Sequence, residues 1–332
     1  GADTPIPVAD RGAMEAAVRE HDYRTALENL ASGAPTETTR VAHCDACGAE
    51  VEFEPNVHSA ECPFCATPLV TDTTEDRHIK PQGLLPFAID REAARQALRR
   101  WLASRWFAPN GLKKYARTNN RINGIYTPYW TFDARTQSVY AGRRGDTYPV
   151  QVRGPDGKPQ TQTRIRWRNV SGRVARDFDD VLVLGATSLP ESDTDALQPW
   201  DLSQLQPYSR DYLAGCRAES YTVPLDRGFT VARGKMDEQI RFDVRRAIGG
   251  DQQQITRLDT RVWDVTFKHI LLPVWVAAYR YRGKPYRVVI NGRTGAVRGQ
   301  RPYSIWKIAL AVLLAAAVAA AVFVAAEGGG LR

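Results

Sequence analysis

The residues best placed to do chemistry are four cysteines, spaced Cys44-x2-Cys47-x14-Cys62-x2-Cys65. A C-x2-C pair turns tightly enough to present two thiolates together. Two such pairs complete a tetrahedron around one divalent ion at about 2.3 Å per metal–sulfur bond. The spacing is that of a zinc ribbon, so one structural Zn2+ is expected on Cys44, Cys47, Cys62 and Cys65. Four protein ligands leave no open position for water, which makes the expected ion structural rather than catalytic. Two disulfides or four idle thiols are the alternative reading. His43 and His58 flank the cluster and are read as bystanders, since the cysteines already fill the shell.

Neighbouring residues agree with a ribbon. Gly48 directly follows Cys47 and can take the positive φ of a knuckle turn. The run EVEFE (50–54) alternates like a strand, Pro55-Asn56 supplies a turn, and Pro63 and Pro68 stiffen the second knuckle. A module of about 25 residues has almost no core, so its folding is expected to depend on metal. Cys216 has no partner in the sequence and reads as a small buried residue.

Other chemistry has little support. There is no G-x4-G-K-[ST] loop, and GPDGK (154–158) has the wrong spacing for one. H-E-x-x-H, G-x-S-x-G and the dinucleotide fingerprint are missing, and the five histidines are scattered. No catalytic or organic-cofactor residue is singled out, and the expected activity is non-enzymatic. Arg144-Gly145-Asp146 is read as a hairpin turn.

The elements that would position these residues follow from periodicity. Residues 14–31 read as a short amphipathic helix, 31–39 as a small-residue linker and 71–78 as a second polar linker. A helix capped by Asp90 runs through REAARQALRRWLASRW. It is basic and amphipathic, so it either lies on a membrane surface or packs on a core with its charged side in water. Between 121 and about 185 four short strands are expected, YTPYWTFDA, QSVYAG, RIRWRNVSG and DVLVLG. A second helix follows over FTVARGKMDEQIRFDVRRAI, then strands in RVWDVTF, HILLPVWVAAYRY and PYRVVI, and a hairpin at Asn291-Gly292 or Thr294-Gly295. Pro128 and Trp130 recur as Pro273 and Trp275 at one common offset of 145, which raises the prospect of a duplicated helix-plus-sheet unit.

Residues 308–326 are 19 consecutive apolar residues, ten of them alanine. At 1.5 Å per residue they span about 28 Å, close to a bilayer core of about 30 Å. Tyr303 and Trp306 sit where interfacial aromatics belong. A transmembrane helix over 305–326 is expected, with a buried core helix as the alternative. Arg293, Arg298, Arg301 and Lys307 precede it and Arg332 follows, so the positive-inside rule places the preceding domains in the cytoplasm. The start GADTPIPVAD has no signal-peptide character, which agrees with reduced thiolates. Net charge is +8, spread along the chain, while window 43–69 contains no Lys or Arg. Nucleic acid is therefore an unfavoured partner for the ribbon.

The expected fold is α+β: helix and linker over 1–40, a rubredoxin-like zinc ribbon over 41–70, an α+β domain over 79–303 with repeats near 85–185 and 216–300, and a single transmembrane helix. The phrases IKPQGLLPFAID, RWFAPNGLKK, SGRVARDFDDVLV, PWDLSQLQPY and YLAGCRAESY, with the run from FKHILLPVWVAAYRY to RPYSIWK, carry a further resemblance over roughly 40–310. The chain resembles a bacterial family of membrane proteins with an N-terminal zinc ribbon of the transcription-factor-B type. That resemblance implies an inner-membrane protein of phage-shock-type membrane-stress systems. The partners it implies are SPFH (flotillin-like), ESCRT-III-like coat and TPM-domain proteins. The reading is an adaptor or scaffold, with a nucleic-acid-binding regulator second and an enzyme in the α+β domain third; homo-oligomer formation stays open.

Overall fold

The computed structural model describes residues 12, 18–32, 37–52, 59–65, 67–70, 74–109, 122–155, 158–213, 216–281, 284–300 and 303–328. In chain order the first elements are β1 (His21–Asp22), α1 (Tyr23–Ala31), β2 (Glu37–His43), β3 (Glu50–Glu52), β4 (Ser59–Glu61), β5 (Pro68–Val70), β6 (Thr74–His78) and β7 (Gly83–Leu84). There follow α2 (Arg91–Ala103), β8 (Asn123–Arg153), β9 (Pro159–Leu184), β10 (Gln206–Pro207), β11 (Arg217–Ala218) and α3 (Leu225–Ile248). The last are β12 (Gln252–Tyr281), β13 (Lys284–Asn291), β14 (Val297–Gly299) and α4 (Ile305–Gly328).

Three long strands form the frame. β8 pairs antiparallel with β9 on one edge and with β12 on the other. The far edge of β12 is shared in turn by β1, β7 and β13. The four short strands expected between 121 and 185 are thus two long ones. Arg144-Gly145-Asp146 is not a turn but part of the ladder, opposite Arg168, Trp167 and Arg166. Two neighbouring strands satisfy its backbone groups, which outweighs the local turn preference of Gly and Asp. The reversal falls instead in GPDGK, where the Gly154 amide donates to the Lys158 carbonyl at 2.9 Å. RVWDVTF and HILLPVWVAAYRY likewise merge into β12 through a bulge between Trp263 and Thr266, with Asp264 at φ +50°.

α3 buries Leu225, Gly228, Ala232, Met236, Ile240, Val244 and Ile248, one side chain per turn. They pack on Trp130 and Phe132 near the middle of the sheet and on Tyr140 further out. Each large apolar side chain so buried contributes about 1.5–3 kcal/mol. α2 buries Ala94, Ala97, Leu98 and Leu102 against Trp275, Ala277, Val288 and Ile290. Its apolar face therefore belongs to the core and does not lie on a membrane.

The helix expected over 14–31 is interrupted: Val18 is helical, Arg19 and Glu20 are not, and His21–Asp22 form a strand. α1 starts at Tyr23, where the Asp22 carboxylate accepts from the Thr25 amide at 2.7 Å. His21 and Asp22 are drawn into pairing with Phe267 and Thr266 of β12. Residues 13–17 lie outside the described ones. The stretches read as polar linkers also carry strands: Glu37–Val41 pair antiparallel with Thr74–His78, and β2 pairs with β3.

The surroundings of Trp130 and Trp275 correspond closely. The Trp130 indole donates to the Val223 carbonyl at 2.9 Å, and the Trp275 indole donates to the Ile89 carbonyl at 3.1 Å. Each acceptor immediately precedes a helix N-cap, Pro224 or Asp90. The Gly185 amide donates to Pro128 and the Gly292 amide to Pro273, both at 2.8 Å. The Gly185 carbonyl then accepts from Thr222 and Val223, and the Gly292 carbonyl accepts from Ala88 and Ile89. Thr127 and Leu272 are opposite each other midway between the two sites, on antiparallel strands.

Candidate metal centre

β2 ends at His43 and β3 begins at Glu50, so the first knuckle closes a β-hairpin. The Cys44 carbonyl accepts from Cys47 at 3.2 Å and from Gly48 at 2.7 Å, and the Cys44 amide donates to Ala49 at 2.9 Å. Gly48 sits at φ +71°, a conformation in which an L side chain is strained. β4 and β5 form the second hairpin, closed by the Cys62 amide donating to the Thr67 carbonyl at 2.8 Å. The Cys65 thiol also donates to the Thr67 hydroxyl at 3.2 Å.

These hairpins bring all four predicted ligands together. The sulfurs of Cys44 and Cys65 are 3.6 Å apart, as are those of Cys47 and Cys62. All four lie within 4.8 Å of one another and none is in a disulfide. A tetrahedron of metal–thiolate bonds has sulfur–sulfur edges of about 3.8 Å, so the donor set fits one tetrahedral cation. Such an ion would supply the positive charge that lets four close sulfurs ionise together. Without it the thiols compete. A hydrogen bond from Cys47 holds the Cys62 thiol down to about 5, while that shared bond and burial push Cys47 up, and burial pushes Cys44 up. His43 is exposed and faces Glu50 at 3.9 Å, away from the ligand role. His58 lies outside the described residues.

The ribbon is not a separate bead. Cys44, Ala49, Val51, Cys62, Phe64 and Cys65 share one buried cluster with Leu182, Leu184, Leu197 and Trp200. The strip after β11 ties the two parts. Glu219 bridges to Val51, its amide donates to the Tyr126 carbonyl at 3.0 Å, and the Ser220 amide donates to Glu50 at 3.1 Å.

Glu219 is the residue sequence reading missed. It is 2% exposed, beneath the ribbon, its carboxylate oxygens have no hydrogen-bond partner among the described residues, and burial raises its carboxyl to about 8. A single glutamate in YLAGCRAESY carries no signal of burial; only the packing of two distant segments above it does that. A second acidic group gathers Glu20, Asp133 and Asp179 beside Lys268, whose side chain is 6% exposed and ion-paired to Glu20 at 3.2 Å and Asp180 at 2.9 Å. Burial and Glu20 raise Asp133 to about 7, while the hydrogen bond with Asp133 lowers Glu20 to about 2. The Thr266 hydroxyl at 2.7 Å and the Lys268 ammonium at 3.2 Å both donate to Glu20 and tie the segment before α1 to the sheet. Cys216 is half-buried among Leu84, Tyr126 and Ala218, where burial raises its thiol.

Fold and site together define a class: a mixed α+β protein, mostly sheet, with a four-cysteine cluster whose geometry fits a metal ion and, among the described residues, one helix, Ile305–Phe323, long and apolar enough to cross a membrane. Comparison with curated proteins finds 25% identity over 233 residues, covering 70% of this chain and 67% of the relative, to a Bacillus subtilis (strain 168) protein named "Uncharacterized protein YdjG". No family model matches the chain, and no solved structure matches it.

Proposed function

We propose that the chain is a membrane-tethered adaptor that holds one structural Zn2+ and presents a cytoplasmic α+β domain to protein partners. The observation that carries this reading is α4: over Ile305–Phe323 no residue is buried by the rest of the described chain, although the run is apolar. The excess of Lys and Arg before the helix supports the cytoplasmic side for the domain, and thiolate ligands suit that reducing compartment. Among the cations that accept four sulfurs, zinc suits a closed structural site. The corresponding hydrogen bonds around Trp130 and Trp275 support a duplicated unit, and the phrases shared with the zinc-ribbon membrane-stress family support SPFH-like, ESCRT-III-like or TPM-domain partners.

A second reading, a nucleic-acid-binding regulator, draws on the sheet face turned away from α3. By strand register that face carries Arg135, Arg143, Arg173, Arg257 and Arg261, with Trp167 under Arg143 at 5.2 Å and Trp263 under Arg261 at 5.8 Å. Arginine beside aromatic rings suits bases and phosphates. Asp177 and Asp259 share the face, and Arg257 is paired to Asp259 at 2.6 Å, which weakens its attraction for a polyanion.

Affinity capture from gently solubilised membranes, with full-length chain beside a version truncated before Ile305, separates the readings. The adaptor reading expects membrane proteins captured only with the helix present. A truncated chain that stays soluble, keeps its partners and binds DNA with a steep salt dependence would instead establish the regulator.

A further inference from the structure

The root of α4 is fastened to a distant part of the chain. The Ser304 amide donates to the Phe107 carbonyl at 2.8 Å. The Lys307 ammonium donates to the carbonyls of Trp106 at 3.1 Å and Ala108 at 2.9 Å. These acceptors belong to the turn that follows α2. Lys307 is the last charge before the apolar run, so it marks the depth at which the helix leaves water. Ser304, bonded to Phe107, lies three residues or about 4.5 Å of helix axis before Lys307, which places the turn that carries Trp106 beside the root of the helix.

The side chains at this level are unusual for a water-facing surface. Trp106 is 75% exposed, Trp306 87% and Ile305 81%. An indole has a broad apolar body and one polar N–H, and its preferred environment is the boundary between headgroups and acyl chains. Arg100 is exposed on the last turn of α2, and Arg105 stacks over Trp101 at 5.0 Å in the turn itself. Cations at this height meet the phosphates of a leaflet. The apolar face of α2 is already occupied by Trp275 and its neighbours, so the end of the helix, not its side, is what meets the lipid.

We infer that the turn 104–108, led by Trp106, is a membrane-interface contact, so that the domain is seated on a phospholipid leaflet instead of swinging from a tether. This rests on the reading that α4 crosses the bilayer. Three hydrogen bonds at the helix root leave little slack between domain and anchor. The basic end of α2 and the exposed indoles of Trp106 and Trp306 then form one patch around the point of insertion.

The test is photocrosslinking of the full-length protein in nanodiscs of phosphatidylcholine and phosphatidylglycerol. Benzoylphenylalanine is placed singly at Trp106, at Leu310 inside α4, and at Phe242, which is 52% exposed on α3. All three positions are exposed and tolerate the larger ring. The expected result is phospholipid adducts at 106 and 310 and none at 242. Adducts at 310 without any at 106 would overturn the seated domain while leaving the anchor intact. No adduct at either position would overturn the anchor as well. A protein adduct at 106 in place of lipid also overturns the inference, and assigns the indole to a partner.

Discussion

Trp130 and Trp275 occupy matching places in the sheet, yet the regions around them differ. Both indoles donate to the carbonyl just before a helix cap, and both lie beside a strand-end glycine whose amide and carbonyl make the same bonds. Around Trp130 the helix is 24 residues long, β9 is 26 residues, and a basic two-stranded ribbon extends past the end of α3. Around Trp275 the helix has 13 residues, the partner strand has 8, and the region ends at the apolar helix α4. The shared part is a hydrogen-bonded frame that fixes where a helix meets a strand. The variable part is how far each strand continues and what it carries.

The largest effect is expected from the metal centre, because the ribbon packs in the buried cluster on the sheet face opposite both tryptophans, against Tyr129, Leu182 and Leu184 of one region and Val274, Val276 and Val289 of the other. Chelation, or Cys62→Ser, should remove the ribbon and also destabilise the domain beneath it by at least about 3 kcal/mol, read as a loss of cooperative thermal unfolding in detergent. A domain that melts unchanged after metal removal would mean the shared core contributes little. Next comes the contact between α3 and Trp130. A Cβ at Gly228 would meet Trp130 Cδ1 at 2.8 Å, so Gly228→Ala should cost about 1–3 kcal/mol by denaturant titration. Trp275→Phe, which deletes only the indole donor and part of the ring on the other side, should cost about 1–2 kcal/mol.

The pH response sharpens the comparison further, since the acidic pair lies only beside the Trp130 region. Asp133 is raised to about 7, so from the ordinary carboxylate range up to about pH 7 the folded chain holds a proton that the unfolded chain has lost. Stability should therefore fall as pH rises across that window. Glu20, lowered to about 2, acts in the opposite sense: its contribution is present above the ordinary range and is lost as pH falls towards 2. Asp133→Asn should flatten the slope between pH 5 and 7 in unfolding midpoints. The smallest change is expected at Gly234, where a Cβ meets nothing within 4 Å in the same helix that rejects one at Gly228. Gly234→Ala should stabilise by about 0.5–1 kcal/mol.

The four cysteine ligands and the apolar helix were legible in the chain because each is a local signal. Two x2 knuckles set their own turn geometry, and 19 uncharged apolar residues need no partner to announce themselves. The α3 period was legible for the same reason. Tertiary structure alone decided the length of β8, β9 and β12: Gly145 and Asp146 favour a turn locally, and only neighbouring strands on both sides hold them in a ladder. It alone turned the stretches around the ribbon into strands, buried Glu219 beneath the four-cysteine site, and carried Trp106 to Lys307 at the root of α4 across 201 residues of sequence. Those outcomes depend on which distant segments meet, and pairing and burial energies of that kind leave no periodicity or spacing in the residues themselves.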